Sequence, residues 1–83
     1  MTSSGQNPIV GGEPNWRSLE MVLTPGDCED FMYMGRNGEI ELYKHRWTRR
    51  YLNISADGGR FYRLTSNAYI EISMREAIEH VYS

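Results

Sequence analysis

Apolar and polar side chains alternate through most of the chain after residue 30. In FMYMGRNGEIELYKH, residues 31–45, two alternating runs flank Asn37-Gly38, and a side-chain period of two marks a strand with one buried face. Asn-Gly supplies the positive φ angles of a type I′ hairpin turn, so strands are predicted near 31–35 and 39–45. RYLNISADGGRFYRL follows the same plan, with Asp57-Gly58-Gly59 between Tyr51-Leu52-Asn53-Ile54 and Phe61-Tyr62-Arg63-Leu64, and predicts a second hairpin. Tyr69-Ile70-Glu71-Ile72 alternates as a short further strand. A strand unbroken from Glu39 to Ser55 would be about three times the usual length of five or six residues, so a corner is expected at Arg46 to Thr48. Before it, Ile40, Leu42 and Lys44 share one face, and Glu39, Glu41, Tyr43 and His45 the other. Beyond it, Leu52 and Ile54 face the core with Arg50, leaving Arg49, Tyr51 and Asn53 outside, and His45, Arg49 and Tyr51 are expected beside Tyr43 on one exposed face.

Ser73-Met74-Arg75-Glu76 has the spacing of a capping box, in which the serine hydroxyl and the glutamate carboxylate each satisfy an orphan N–H. A helix is predicted from there, with Met74, Ala77, Ile78, Val81 and Tyr82 on one apolar stripe. So short a helix is unstable alone in water and must pack on the sheet. In NWRSLEMVLT, residues 15–24, Leu19, Met21 and Leu23 alternate with Glu20 and Val22. This reads as a half-buried strand, with a helix from Asn15 as the alternative. Pro25-Gly26-Asp27 ends the element in a turn. Residues 1–14 lack a hydrophobic period and read as a flexible N-terminal tail. The fold class expected is α+β: an antiparallel meander of four to five strands, one C-terminal helix on one face, and a single domain over 15–83.

Composition narrows this outline. An 83-residue chain buries only about 60% of its unfolded surface, so the core is thin, while 40% hydrophobic and 24% charged residues are ordinary globular proportions. The lone Cys28 permits no internal disulfide and no zinc site of paired thiolates. Asp27, Glu29 and Asp30 beside it raise a thiol pKa and make a poor nucleophile, and they lack the spacing of a calcium loop. No apolar run approaches the roughly 20 residues of a membrane span, and MTSSGQNPIVGG lacks the marks of a signal peptide. No cofactor, metal site or membrane contact is therefore expected, and the expected compartment is the cytoplasm.

Charge is segregated. Residues 1–41 carry −5, residues 42–63 carry +5 and residues 64–83 carry −2. The acidic total opposes a dedicated nucleic-acid binder, yet the basic middle leaves room for a local anion site. YKHRWTRRY, residues 43–51, holds four of the nine basic residues, and eight of the nine are arginine, whose planar fork of donors suits carboxylate or phosphate and stacks on aromatic rings. Tyr43, His45, Arg46, Trp47, Arg49, Arg50 and Tyr51 are the candidate binding residues.

Three functional readings follow. Ten aromatics and five methionines exceed what so small a core needs, and Tyr, Trp, Met and Arg are enriched at interfaces. One helix cannot cover both faces of the sheet, so the first reading is a non-catalytic module that self-associates as a homo-oligomer or binds a protein partner through an aromatic and Arg-rich face. The second is an RNA- or anion-binding domain, with bases on Tyr43, Trp47 or Tyr51 and phosphates on Lys44, Arg46, Arg49 and Arg50. The competing structural account pairs these cations with Glu39, Glu41 and Glu71 on adjacent strands. His45 and His80 read as structural in the absence of a partnered constellation. Trp47-Thr48-Arg49-Arg50 together with His80-Val81-Tyr82-Ser83 resembles the ribosome-dependent mRNA-cleaving toxins, and this resemblance implies a third reading, a small ribonuclease using His45 or His80 with Arg49 and Arg50. That family opens with a helical hairpin and is strongly basic, whereas this chain is acidic.

Overall fold

The computed structural model describes residues 14–83; the flexible tail expected over 1–14 lies, except for Pro14, outside the described residues. The elements in chain order are α1 (Arg17–Glu20), α2 (Pro25–Cys28), β1 (Phe31–Asn37), β2 (Ile40–His45), β3 (Tyr51–Ser55), β4 (Phe61–Leu64), β5 (Tyr69–Ile72) and α3 (Met74–Tyr82). The five strands form one open antiparallel sheet in the order β1-β2-β3-β4-β5, a meander, with α3 packed on β3 and β4. The protein is α+β.

Register shows why the core lies on one face. Phe31 faces His45, Tyr33 faces Tyr43, Tyr43 faces Leu52, Glu41 faces Ile54 and Ile54 faces Phe61; directly opposed residues of antiparallel strands point to the same side. These side chains meet Leu19 of α1 and Ala77 and Val81 of α3 in the core. The other face carries Met32, Leu42, Lys44, Tyr51, Tyr62 and Leu64, all exposed or half-buried, with no second layer over it among the described residues. The alternation along β2 is therefore as the sequence predicts, but the exposed face expected for Tyr43 and His45 is inverted. Both are buried, as is Glu41, because the helices settle on that side.

The capping box forms as predicted: Ser73 Oγ accepts from the Glu76 N–H at 3.1 Å and Glu76 Oε1 from the Ser73 N–H at 3.1 Å. Ala77 and Val81 of the predicted stripe are buried, whereas Met74 at its start is exposed. The strand expected over 15–24 is a helical turn instead. Asn15 Oδ1 accepts the Arg17 N–H, the Glu20 N–H reaches the Trp16 carbonyl, and the buried Ser18 hydroxyl lies 2.9 and 2.8 Å from the Ser55 and Ala56 carbonyls. Pro25-Gly26-Asp27 enters a second helical turn, capped by Thr24 with Pro25 in the first turn, where a missing N–H costs nothing. The first hairpin turns one residue later than Asn37-Gly38: Asn37 pairs with Ile40 and Gly38 has φ 63°. Positive φ at the first central residue alone is the pattern of a type II′ turn rather than I′.

Glu41 is the acid that sequence reasoning misplaced. Its buried carboxylate accepts from Tyr33 Oη at 2.5 Å, Arg36 Nε at 2.9 Å and Asn15 Nδ2 at 3.1 Å. A buried charge is tolerated when paired and hydrogen-bonded in this way. Tyr43 Oη completes the cluster by donating to the Asn15 carbonyl. Among the described residues, no helix is long and apolar enough to cross a membrane.

Candidate functional site

The corner after β2 is built around His45. Its N–H donates to the Arg50 carbonyl at 2.9 Å, and its own carbonyl accepts the Arg49 N–H at 2.9 Å. Its Nδ1 accepts the N–H groups of Trp47 at 3.1 Å and Thr48 at 3.2 Å, so the imidazole nitrogen caps the turn. The ring packs edge-on against Phe31 and Tyr82. Thr48 Oγ1 donates to the Val81 carbonyl at 2.7 Å and accepts the Arg50 N–H at 3.2 Å, while Arg50 Nε reaches the Ser83 carbonyl at 3.4 Å. These bonds tie the corner to the C-terminal end of α3. The turn closes with Arg49 at φ 67°, the one non-glycine residue with positive φ among the described residues. For an ordinary L-residue that conformation is strained, and such strain tends to gather at functional positions.

Beside this corner the sheet opens. The ladder between β3 and β4 holds only Asn53 to Tyr62 and Ile54 to Phe61, leaving Tyr51 and Leu52 unpaired with Arg63 and Leu64. A cleft of about 460 Å³ occupies the opening, within the range of ligand pockets. Arg49 and Arg50 from the corner, Arg63 from β4 and His80 from α3 bring cationic or titratable groups to it. Leu42, Tyr51, Leu64 and Tyr69 supply apolar and aromatic surface. Asn53 is the one buried residue of the lining, 4% exposed. Its Nδ2 donates to the Tyr62 carbonyl at 3.3 Å, and its Oδ1 has no partner among the described residues.

Among the described residues the lining contains no carboxylate. Among the described residues the ion pairs are Arg36–Glu41 and Arg75–Glu79, so Glu41 is consumed by Arg36 and does not serve the corner. Glu71 acts on Arg60, whose guanidinium is held above its ordinary pKa first by a hydrogen bond with Tyr62 and then by that carboxylate. The cross-strand pairing expected between the basic segment and Glu39, Glu41 and Glu71 is thus not made by Lys44, Arg46, Arg49 or Arg50. The reason is the inverted face of β2, which turns Glu41 inward.

The seven residues singled out in the sequence separate into three groups. Arg49, Arg50 and Tyr51 line the cleft. Tyr43 and His45 are core residues, the histidine a turn cap. Arg46 and Trp47 are exposed and lie by the loop before β1: the Arg46 N–H donates to the Asp30 carbonyl and Trp47 Nε1 to Asp30 Oδ1 at 3.4 Å. Arg63, Asn53, Tyr69 and Leu64 enter the cleft without having been selected, and His80, named in the sequence only for the ribonuclease reading, joins them. Alternation along β4 and the hairpin register carry the signal for Arg63; the approach of α3 to the corner, which brings His80, has no local signal. Cys28 has its thiol pKa raised, first by burial and then by Glu20 and Asp27, which keeps it protonated. Among the described residues no three His, Cys, Asp or Glu side chains are placed to hold a metal ion. No protein-family model matches this chain, and comparison with curated proteins and with solved structures finds no match.

Proposed function

We propose that the protein is a small non-catalytic binding module whose cleft between β3 and β4 takes a phosphate-bearing ligand. The observation that carries this reading is the meeting of Arg49, Arg50 and Arg63 at one concave site whose lining, among the described residues, holds no carboxylate. Guanidinium groups without an ion pair among the described residues, beside apolar walls that lower the local dielectric, form a ready anion site. Backbone strain at Arg49 supports it, because a glycine would sit there without cost while leaving the cleft one cation short. The net charge of −2 does not oppose such a site, since +5 is concentrated in residues 42–63 and attraction depends on the local field.

Calorimetric titration with tripolyphosphate at low and at moderate salt tests the reading. Binding is expected at low salt and weakens steeply as salt rises. Arg50→Ala and Arg63→Ala are each expected to cost roughly 1 kcal/mol of affinity, about fivefold, while Arg75→Ala on the exposed side of α3 leaves it unchanged. Absence of binding at low salt, or equal damage from Arg75→Ala, overturns the proposal. His80 lies in the same cleft, so incubation with RNA separates binding from hydrolysis. The RNA is expected to be recovered intact; cleavage that disappears in His80→Ala replaces the binding reading with the ribonuclease one.

A further inference from the structure

We infer that the phosphate-bearing ligand of the cleft is a nucleotide of a single-stranded nucleic acid, its base lying along Tyr51 and Tyr69 and its phosphate on Arg49, Arg50 and Arg63. This inference rests on the proposed anion site and specifies what the anion is attached to.

The walls of the cleft carry the argument. A free phosphate or polyphosphate would use the arginines and leave Leu42, Leu64 and the rings of Tyr51 and Tyr69 against water. A ligand that satisfies the whole surface needs a flat apolar body beside its negative charge. The opening arises where two neighbouring strands part after the Asn53–Tyr62 pair, so its lining comes from both strands. Bases stack on aromatic side chains irrespective of sequence, and guanidinium groups can stack as well as bind phosphate. On the face that carries Leu42, Tyr51 and Leu64, a further cation stands beside the aromatic wall: Lys44 Nζ lies 5.8 Å from the centroid of the Tyr51 ring.

Asn53 gives a second, independent pointer. Its Oδ1 is a buried acceptor with no partner among the described residues, in a residue that lines the cleft. Buried acceptors are normally satisfied. Every nucleobase carries an N–H donor on its pairing edge, whereas the ring of a phosphotyrosine offers none. The oxygen is closed off in the free protein, so a base donor pairs with it only when the side chains over it move aside. Asn53 then favours a nucleobase over a phosphotyrosine ring without choosing among bases, with stacking and charge supplying the affinity.

Fluorescence anisotropy with short single-stranded RNA and DNA oligonucleotides, competed by base-free polyphosphate of equal charge and by a phosphotyrosine peptide, tests the inference. The oligonucleotides are expected to bind about tenfold or more tightly than polyphosphate, since each stacked base adds that order of affinity. Tyr51→Leu and Tyr69→Leu narrow this gap, and both variants are checked for an unchanged circular dichroism spectrum. Equal binding of oligonucleotide and polyphosphate overturns the inference and leaves the anion site standing. Tighter binding of the phosphotyrosine peptide overturns it in favour of a protein partner. If no anion binds, the proposed function falls first and the inference falls with it. A preference for RNA over DNA, or its absence, decides which strand is the ligand.

Discussion

Arg49 shows how a single position reports on function through its backbone. Its φ of 67° costs an ordinary L-residue roughly 1–2 kcal/mol relative to glycine, while glycine gives back roughly 0.5–1 kcal/mol through its greater freedom when unfolded. Arg49→Gly is therefore expected to leave stability unchanged or raise it by up to about 1.5 kcal/mol in denaturant titration, while weakening tripolyphosphate binding. A loss of stability greater than about 1 kcal/mol would mean that the arginine side chain holds the corner and that the strain is not kept for a ligand. His45 stands at the opposite pole. It looked like surface chemistry in YKHRWTRRY, and it is a buried ring whose Nδ1 closes the turn. Both residues were legible as types in a basic segment; their roles depend on φ angles and on which face of β2 the helices cover, neither of which is written in the local pattern.

Among the elements, the corner and α3 act as one unit. Thr48 Oγ1 bonds the Val81 carbonyl and the Arg50 N–H, so it holds Arg49 and Arg50 near His80. Thr48→Val keeps the shape and removes both bonds, and a loss of about 1–2 kcal/mol is expected. Ser73→Ala removes the cap at the other end of the helix and costs about 1 kcal/mol. The two variants are expected to be similar in thermal denaturation but different in ligand titration, with only Thr48→Val weakening anion binding. If Ser73→Ala weakens it equally, cleft geometry follows general stability rather than the docked corner. The capping box was readable because its two partners are three residues apart. The bond from Thr48 to Val81 spans thirty-three positions and leaves no local trace.

For the molecule as a whole, tyrosine burial sets the response to alkali. The phenol of Tyr43 is pushed well above its ordinary value of 10.0, first by burial and then by the Glu41 carboxylate. Tyr33 is raised by burial and by its hydrogen bond to Glu41, and Tyr82 chiefly by burial. A phenol with a raised folded-state pKa keeps its proton where the unfolded chain releases it, so its contribution to stability is whole below pH 10 and falls as pH rises above it. Denaturant midpoints are expected to hold from about pH 8 to 10 and to drop beyond, with the tyrosinate absorbance that Tyr43→Phe removes appearing together with unfolding. Tyr43→Phe flattens that drop. If every tyrosine titrates near pH 10 at constant stability, the core assigned to Tyr33 and Tyr43 is wrong.

The sequence by itself determined the strands, the corner at Arg46 to Thr48, the capped C-terminal helix and the pairing order of the meander. Each depends on interactions between residues close in the chain: alternation at a period of two, Gly at a turn, Ser and Glu three apart. It also determined that positive charge gathers in 42–63. Only the tertiary structure decided which face of the sheet became the core. That choice is made by where α1 and α3 settle, and it sent Glu41, Tyr43 and His45 inward and left Arg49, Arg50 and Tyr51 beside Arg63 and His80. A strand pattern is symmetric with respect to its two faces when both carry apolar and charged residues, as β2 does with Ile40, Leu42 and Lys44 against Glu41, Tyr43 and His45. Long-range packing breaks that symmetry, and the cleft exists because it was broken this way.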